Sequence, residues 1–265
     1  MIPIEERFPR PSVMGIVNVT PDSFSDGGVN LDADVAAAAA RRMVEEGAAI
    51  VDVGGESTRP GSEGVSLDEE LRRVVPVLGR LEGELPLSID TSKAEVASRA
   101  VSLGAELVND VTALRADPDM AGVVAGSGAY LCLVHMLGEP RTMQDDPRYG
   151  DVVSEVKAFL EERLAFAVDA GIREERVCLD PGIGFGKTVE HNVELLRRLG
   201  ELVAIGRPLL VGVSRKRFLG RLHGDPEATV GSVSASVEAG VAAVAAGATI
   251  LRVHDVRETV EALAA

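Results

Sequence analysis

Eight short apolar runs recur along the chain, at Val13–Val19, Ala49–Val53, Pro86–Asp90, Ala105–Asn109, Ala129–His135, Arg176–Asp180, Pro208–Ser214 and Thr249–His254. The segments between them are helical in character. Asp34–Glu46 is alanine-rich, with Arg41, Arg42, Glu45 and Glu46 for a wet face. Ser66 and Glu69 stand at capping-box spacing before Leu71–Leu81, as do Ser92 and Glu95 before Val96–Leu103. Pro76 falls inside the first of these and is expected to kink or divide it. Asp151–Ala170 and Val189–Val203 are longer amphipathic stretches, Ser232–Ala246 is expected to be well buried, and Val256–Leu263 closes the series. Strand and helix thus alternate about eight times, with no linker or low-complexity stretch. The pattern predicts an α/β chain, a single (β/α)8 TIM barrel over residues 1–265. A doubly wound open sheet is the structural alternative.

Each run breaks off into polar residues: Asn18-Val-Thr, Gly54 to Arg59, Asp90, Asn109-Asp110, His135-Met136, Asp180-Pro-Gly, Ser214 to Lys216, and Arg252 to Asp255. In a parallel barrel these clusters share one mouth, which argues for an enzyme. Two long connections, Thr20–Leu31 and Glu56–Ser66, are rich in Gly, Pro, Ser and Asp and read as lids over that mouth.

The clusters suggest a chemistry. Asp90, Asn109 and Asp180 end three different strands, and such a set needs hydrogen-bond donors. A planar heterocycle with amino and ring N–H groups would supply them. Arg59, Lys216, Arg252 and His254 follow strands two, seven and eight, and the loops after strands seven and eight form the usual phosphate site of this barrel. The stretch Gly182 to Thr188 is not a Walker loop, because Pro181 stands where a glycine belongs, and Lys187 replaces the third glycine of a dinucleotide motif. It reads as a turn that lets backbone approach a flat ligand. His135, His191, His223 and Asp255 lack the paired spacing of a zinc site. An oxygen-ligated Mg2+ held by Asn18 and completed by phosphates and water fits better.

Composition narrows the class. The chain has 265 residues, 46% of them hydrophobic and 3% aromatic with no Trp, so its core is built from Ala, Val, Leu and Ile. A formal charge of −15 argues against a nucleic-acid partner or an anionic membrane surface, leaving a small anionic substrate met by local cations. Cys132 and Cys178 lie inside apolar runs and read as buried reduced thiols. The segment Met1–Pro11 has no apolar signal stretch, and no apolar run approaches a membrane span, so a cytoplasmic location is expected.

At this point the motifs match a family. NVTPDSFSDGG at Asn18–Gly28, GGESTRPG at Gly54–Gly61 and DTSKAEV at Asp90–Val96 resemble dihydropteroate synthase, as do Asn109-Asp110, His135-Met136, LDPGIGFGK at Leu179–Lys187, Ser214-Arg-Lys216 and Arg252-Val-His-Asp255. The resemblance runs from about Val13 to the C-terminus, in the family's order. It implies a pterin-binding barrel, a transferase of folate synthesis that joins 7,8-dihydropterin-6-ylmethyl diphosphate to p-aminobenzoate and releases pyrophosphate. On this likeness Asp90, Asn109, Asp180 and Lys216 would hold the pterin, Asn18 would bind Mg2+, and Thr58, Arg59, Arg252 and His254 would bind the diphosphate. Phe24, Pro60, Ser214 and Lys216 would border the p-aminobenzoate, and Asp90, Lys216, Asp26 and Arg59 would carry the chemistry. It also implies a monofunctional homodimer and a sulfonamide target, with Ser232–Ala246 a candidate interface helix.

Leu137 and the pair Leu114-Arg115 depart from the family pattern and put loop detail in doubt. Two rivals stand beside the reading: a pterin-dependent methyltransferase and a non-catalytic pterin-binding paralogue. The first has no use for Asn18, Arg252 and His254 or for the lid motifs; the second should carry a damaged lid or anion site, and here Asp26, Thr58, Arg59, Lys216 and His254 are all in place.

Overall fold

Every apolar run contains a strand. In the computed structural model, which describes residues 2–20, 29–222, 224–225 and 227–265, the strands are β1 (Ser12–Asn18), β2 (Ile50–Gly54), β3 (Leu87–Asp90), β4 (Ala105–Asp110), β5 (Tyr130–Val134), β6 (Val177–Asp180), β7 (Leu210–Val211) and β8 (Ile250–Val253). They pair in the order β6-β5-β4-β3-β2-β1-β8-β7, all parallel. A parallel bridge between Leu179 and Leu209 joins the two ends of that order and closes the barrel. The open doubly wound sheet is thereby excluded. β7 is much shorter than its apolar run, because the chain leaves the sheet at Gly212 to begin the next loop.

The helices are α1 (Ile4–Arg7), α2 (Val29–Glu45), α3 (Leu67–Leu81), α4 (Ala94–Ser102), α5 (Met120–Ser127), α6 (Val152–Asp169), α7 (Val189–Arg197), α8 (Leu199–Val203), α9 (Arg217–Leu222), α10 (Val233–Ala245) and α11 (Val256–Ala264). Ser66 caps α3 by accepting from Glu69 N at 3.3 Å, as its spacing predicts. The second predicted box does not form: Lys93 occupies the cap position of α4, and Asp117 accepts from Ala94 N instead. Pro76 does not divide α3; the helix runs through it. The stretch Val189–Val203 breaks at Arg198, which turns between α7 and α8 and pairs with Glu201 and Asp151. α10 buries one stripe, Ala235, Ser236, Gly240 and Ala243, and leaves Val233 exposed, so it is less buried than its composition suggests. Among the described residues no helix is long and apolar enough to cross a membrane.

Alternation along the strands sorts the core in two. Val13, Val53, Ile89, Val108, Leu131, Leu179 and Leu251 face outward into the helix layer. Met14, Ile50, Leu107, Tyr130, Leu210 and Ile250 form a separate cluster inside the barrel, and Ile4 and Phe8 close it from below. Phe8 meets Tyr130 edge to face at 5.8 Å, and the Tyr130 hydroxyl donates to Ile2 O at 2.9 Å. The two free cysteines lie directly opposite one another on β5 and β6, both buried.

The floor is therefore apolar and plugged. Ile4→Ala, which removes a fully buried plug side chain, should cost about 2–5 kcal/mol, read from the urea midpoint at constant slope.

Candidate active site

Strand register assembles the mouth. Parallel pairing sets Asn18 beside Gly54, Gly54 beside Asp90, Asp90 beside Asn109, and Val134 beside Asp180. At the axis lies a charge cluster. Arg252 on β8 donates through Nε to Asp52 Oδ2 at 2.6 Å and through its terminal nitrogen to Asp90 Oδ2 at 2.7 Å. Asn109 Nδ2 donates to the same Asp52 oxygen at 3.0 Å. Asn109 Oδ1 and Asp52 Oδ1 are buried with no partner among the described residues, so the cluster keeps free acceptors.

Burial pushes the Asp90 carboxyl up to about 7, against the pull of Arg252, and raises Asp180 as well. Burial works against the charge of Arg252 too, but Asp52 and Asp90 outweigh it and keep the guanidinium protonated. Asp52 escaped the sequence reading because it stands inside an apolar run, not at its end. A carboxylate between Val51 and Val53 was the available signal.

Asp180 is fixed by Gly182, whose N–H donates to Oδ1 at 2.6 Å. Gly182 has φ +64°, and a Cβ there would lie 1.8 Å from His135 O, so only glycine makes this turn. Lys187 fastens the turn from beneath: its buried Nζ meets His135 Nδ1 at 2.8 Å and donates to Gly182 O at 2.9 Å and Phe185 O at 3.0 Å. Above the turn, Lys216 donates to Ile183 O and lies 4.6 Å over the Phe185 ring. Burial, partly offset by Asp180, lowers Lys216 to about 8. The glycine-rich stretch is thus a shelf carrying a lysine and an aromatic face.

His254 stands at the rim. Its backbone N–H donates to Ser214 Oγ at 3.1 Å, and the Ser214 hydroxyl and His254 Nδ1 are 3.0 Å apart. The Ser214 hydroxyl, with one donor and two acceptor sites, thus bridges the backbone and the ring of His254. Burial first, then Arg252 and Arg215, lowers His254 to about 4, so the ring stands neutral at the rim. Ser214, expected against p-aminobenzoate, has its hydroxyl engaged by this contact. Arg252, expected with the diphosphate, lies deeper, between the carboxylates.

Thr58, Arg59 and Pro60 lie on the loop after β2, Thr58 half-buried and the other two exposed. The loop tip docks by Gly61 N donating to Pro140 O at 3.0 Å. A cavity of about 790 Å³ lies between this loop and those after β4 and β5, lined by Glu56, Ser62, Arg115, Met136, Pro140 and Arg141 among others. Phe24 and Asp26, and with them most of the Thr20–Leu31 lid, lie outside the described residues, as does His223. Asn18 Oδ1 and Asp90 Oδ2 each lie 3.7 Å from the place a Gly54 Cβ would take, so a neutral hard oxygen shares the end of β2 with the carboxylate. That donor fits Mg2+, which takes few protein ligands and keeps water and phosphate for the rest.

Other singled-out groups serve the scaffold. Asp110 accepts from Thr112 N and Leu114 N, each at 2.8 Å, and shapes the loop after β4. His191 completes a capping box with Thr188, and Asp255 pairs with Arg215.

Together these features define a (β/α)8 barrel enzyme whose mouth accepts a flat N–H-rich ring and an anion. A family model described as pterin binding enzyme matches residues 14–254, and the chain belongs to that family. Within it the chain stands among the dihydropteroate synthases, transferases of folate synthesis. The dihydropteroate synthase of Neisseria meningitidis serogroup C is 48% identical, over 97% of this chain and 92% of the relative. A solved Xanthomonas albilineans dihydropteroate synthase with 4-aminobenzoic acid is 50% identical with a TM-score of 0.89, covering 97% of this chain and 92% of that one. The same organism's enzyme in complex with 7,8-dihydropteroate is 47% identical with a TM-score of 0.85, over the same shares of the two chains, 97% and 92%.

The cluster makes a signed prediction. In Arg252→Met, Asp90 loses the pull that opposes burial, so its folded value rises further above the unfolded one and the native state favours the protonated acid. Stability then falls as pH rises, and the loss against wild type in denaturant midpoint should be larger at about pH 8 than at about pH 5.

Proposed function

We propose that the chain condenses 7,8-dihydropterin-6-ylmethyl diphosphate with p-aminobenzoate to give 7,8-dihydropteroate and pyrophosphate, by dissociative C–O cleavage. One observation carries the reading: the free acceptors Asn109 Oδ1 and Asp52 Oδ1 belong to the cluster that Arg252 ties together, and His254 follows two residues later at the end of the same strand. Asp90, Asn109 and Asp180 accept the N–H groups of the pterin, and Lys216 donates to its carbonyl side. His254 and the lid residues Thr58 and Arg59 face the diphosphate. Asn18 would hold Mg2+ together with the diphosphate oxygens. The chemistry such an ion supplies is neutralisation of the charge that gathers on pyrophosphate.

The C–O bond to the bridging oxygen breaks, and its electron pair leaves with pyrophosphate. The carboxylates beneath the ring favour the cation left on the pterin, Asp90 most directly. The amine of p-aminobenzoate attacks the exposed methylene carbon and gives up a proton to solvent, so no protein nucleophile is needed. Pro60 and Ser214 border the amine's approach. Asp26 and Phe24 complete the assignment from the first lid. The same reading places the enzyme in the cytoplasm as a homodimer, with the outer face of α10 as contact, and without nucleic-acid or membrane partners.

The direct test is incubation with the pterin diphosphate, p-aminobenzoate and Mg2+, scoring pyrophosphate with and without the amine. A protein inert toward the pterin ester ends the proposal. Asp90→Asn should slow single-turnover pyrophosphate release by roughly 10²–10³-fold, as for loss of one preorganised charge-stabilising group, while p-aminobenzoate binding changes far less.

The titrating groups set a pH profile. Asp90 must be ionised and Lys216 protonated, so kcat/KM for the pterin diphosphate should rise through about 7 and fall through about 8. The acid limb should vanish in Asp90→Asn.

A further inference from the structure

A second charge network lies outside the pocket and ends in the lid. Lys93, at the start of α4, donates to Glu56 in the loop after β2 and, at 2.6 Å, to Glu70 on α3. Glu70 is fully buried, and its other oxygen accepts from Thr91 Oγ1 at 2.6 Å. Thr91 follows Asp90 directly, and its N–H donates to Asn109 O at 3.1 Å. The network therefore starts at two ring-binding positions and stops two residues short of Thr58.

The partners are unequal. Glu70 is a buried carboxylate that needs both Lys93 and Thr91. Glu56 has 22% of its side chain exposed and could be solvated without Lys93. What the Glu56 contact adds is position. A Cβ on Gly64 would lie 3.3 Å from Glu56 Oε1, so the carboxylate reaches across to the far stem of its own loop. Arg73 Nη1 holds Gly55 O at 2.8 Å on the near stem, and Ser62 Oγ donates to Ser57 O at 2.6 Å within the loop. Burial works against the charge of Lys93, but Glu56 and Glu70 outweigh it, so the ammonium holds both carboxylates.

We propose that the Lys93–Glu56 ion pair is a latch that sets the loop after β2, so that Thr58 and Arg59 meet the substrate; both are positioning residues, and the inference rests on the reaction proposed above. Glu56→Gln in the full chain tests it, since that change leaves the Lys93–Glu70 pair intact. Backbone amides of residues 57–59, 61 and 62 should exchange hydrogen faster than in wild type without substrates. The KM for the pterin diphosphate should rise about tenfold, as for loss of one charge-assisted hydrogen bond, while affinity for a non-reactive pterin that lacks the diphosphate stays unchanged. Lys93→Arg, which keeps both pairs, should leave both readouts as in wild type; the double variant Lys93→Met, Glu70→Gln, which breaks the latch without stranding Glu70, should reproduce Glu56→Gln. Unchanged exchange and KM in Glu56→Gln would overturn the latch, as would a lowered melting temperature with no change in either. The exchange measurement needs no turnover, so a wild-type chain that makes no dihydropteroate would refute the reaction and leave the latch decided on its own data.

Discussion

One guanidinium between two buried carboxylates is the constraint on which the barrel interior depends. Asp52 and Asp90 lie on neighbouring strands, and Arg252 reaches them from β8, across β1. Two carboxylates this close in a low-dielectric interior repel one another and lose their hydration. The guanidinium answers both problems with a separate donor for each. It also forces a vertical order on the barrel. Below the cluster the interior is closed by Ile50, Leu107, Ile250 and the α1 plug; above it the strand ends open to solvent and substrate. Polarity is confined to the level where a ligand arrives.

That level is tuned toward neutrality on every side. Burial moves Asp90 up, Lys216 down and His254 down, so three groups that would be fully charged or half-charged in water sit closer to losing their charge. A site of this kind binds through donors and acceptors of fixed direction, with little solvent to reorganise when charge develops. The Ser214 hydroxyl illustrates the point. It meets both the backbone N–H and the Nδ1 of His254 and so fixes the ring at the rim.

How much of this was legible in the sequence depends on whether a residue acts where it stands. The strands, the mouth residues Asp90, Asn109 and Asp180, and the Ser66 cap are local facts, and the apolar runs and their polar ends spell them out. Asp52 was missed because its partner is 200 residues away on another strand, and nothing local announces the pair. The Ser92 box failed for a related reason: Asp117, from the far side of α4, reached Ala94 N first. Lys187 has no role that its place in the glycine-rich turn announces, because its three contacts hold a turn that only folding brings over His135. α5 went unpredicted because Met120–Ser127 is apolar on all sides and carries no helical periodicity.

The pair Leu114-Arg115 gains a physical meaning in the same way. Ala113 and Leu114 both hold positive φ, at 53° and 63°, a conformation that costs about 1–3 kcal/mol per residue unless the surroundings impose it. Here they do: Asp110 takes the Leu114 N–H at 2.8 Å, and the buried Arg163 Nε takes Ala113 O at 2.8 Å. The left-handed turn carries Arg115 outward, where it donates to Met136 O at 3.0 Å and stacks 4.9 Å over Phe159. Leu114-Arg115 is therefore a strut from the loop after β4 to the loop after β5. Because Met136 lines the cavity beside the pocket and Pro140 receives the lid tip, the strut braces the wall against which the lid closes. The left-handed turn in one loop thereby ties the next, and Leu114-Arg115 is part of how this barrel holds its mouth in shape.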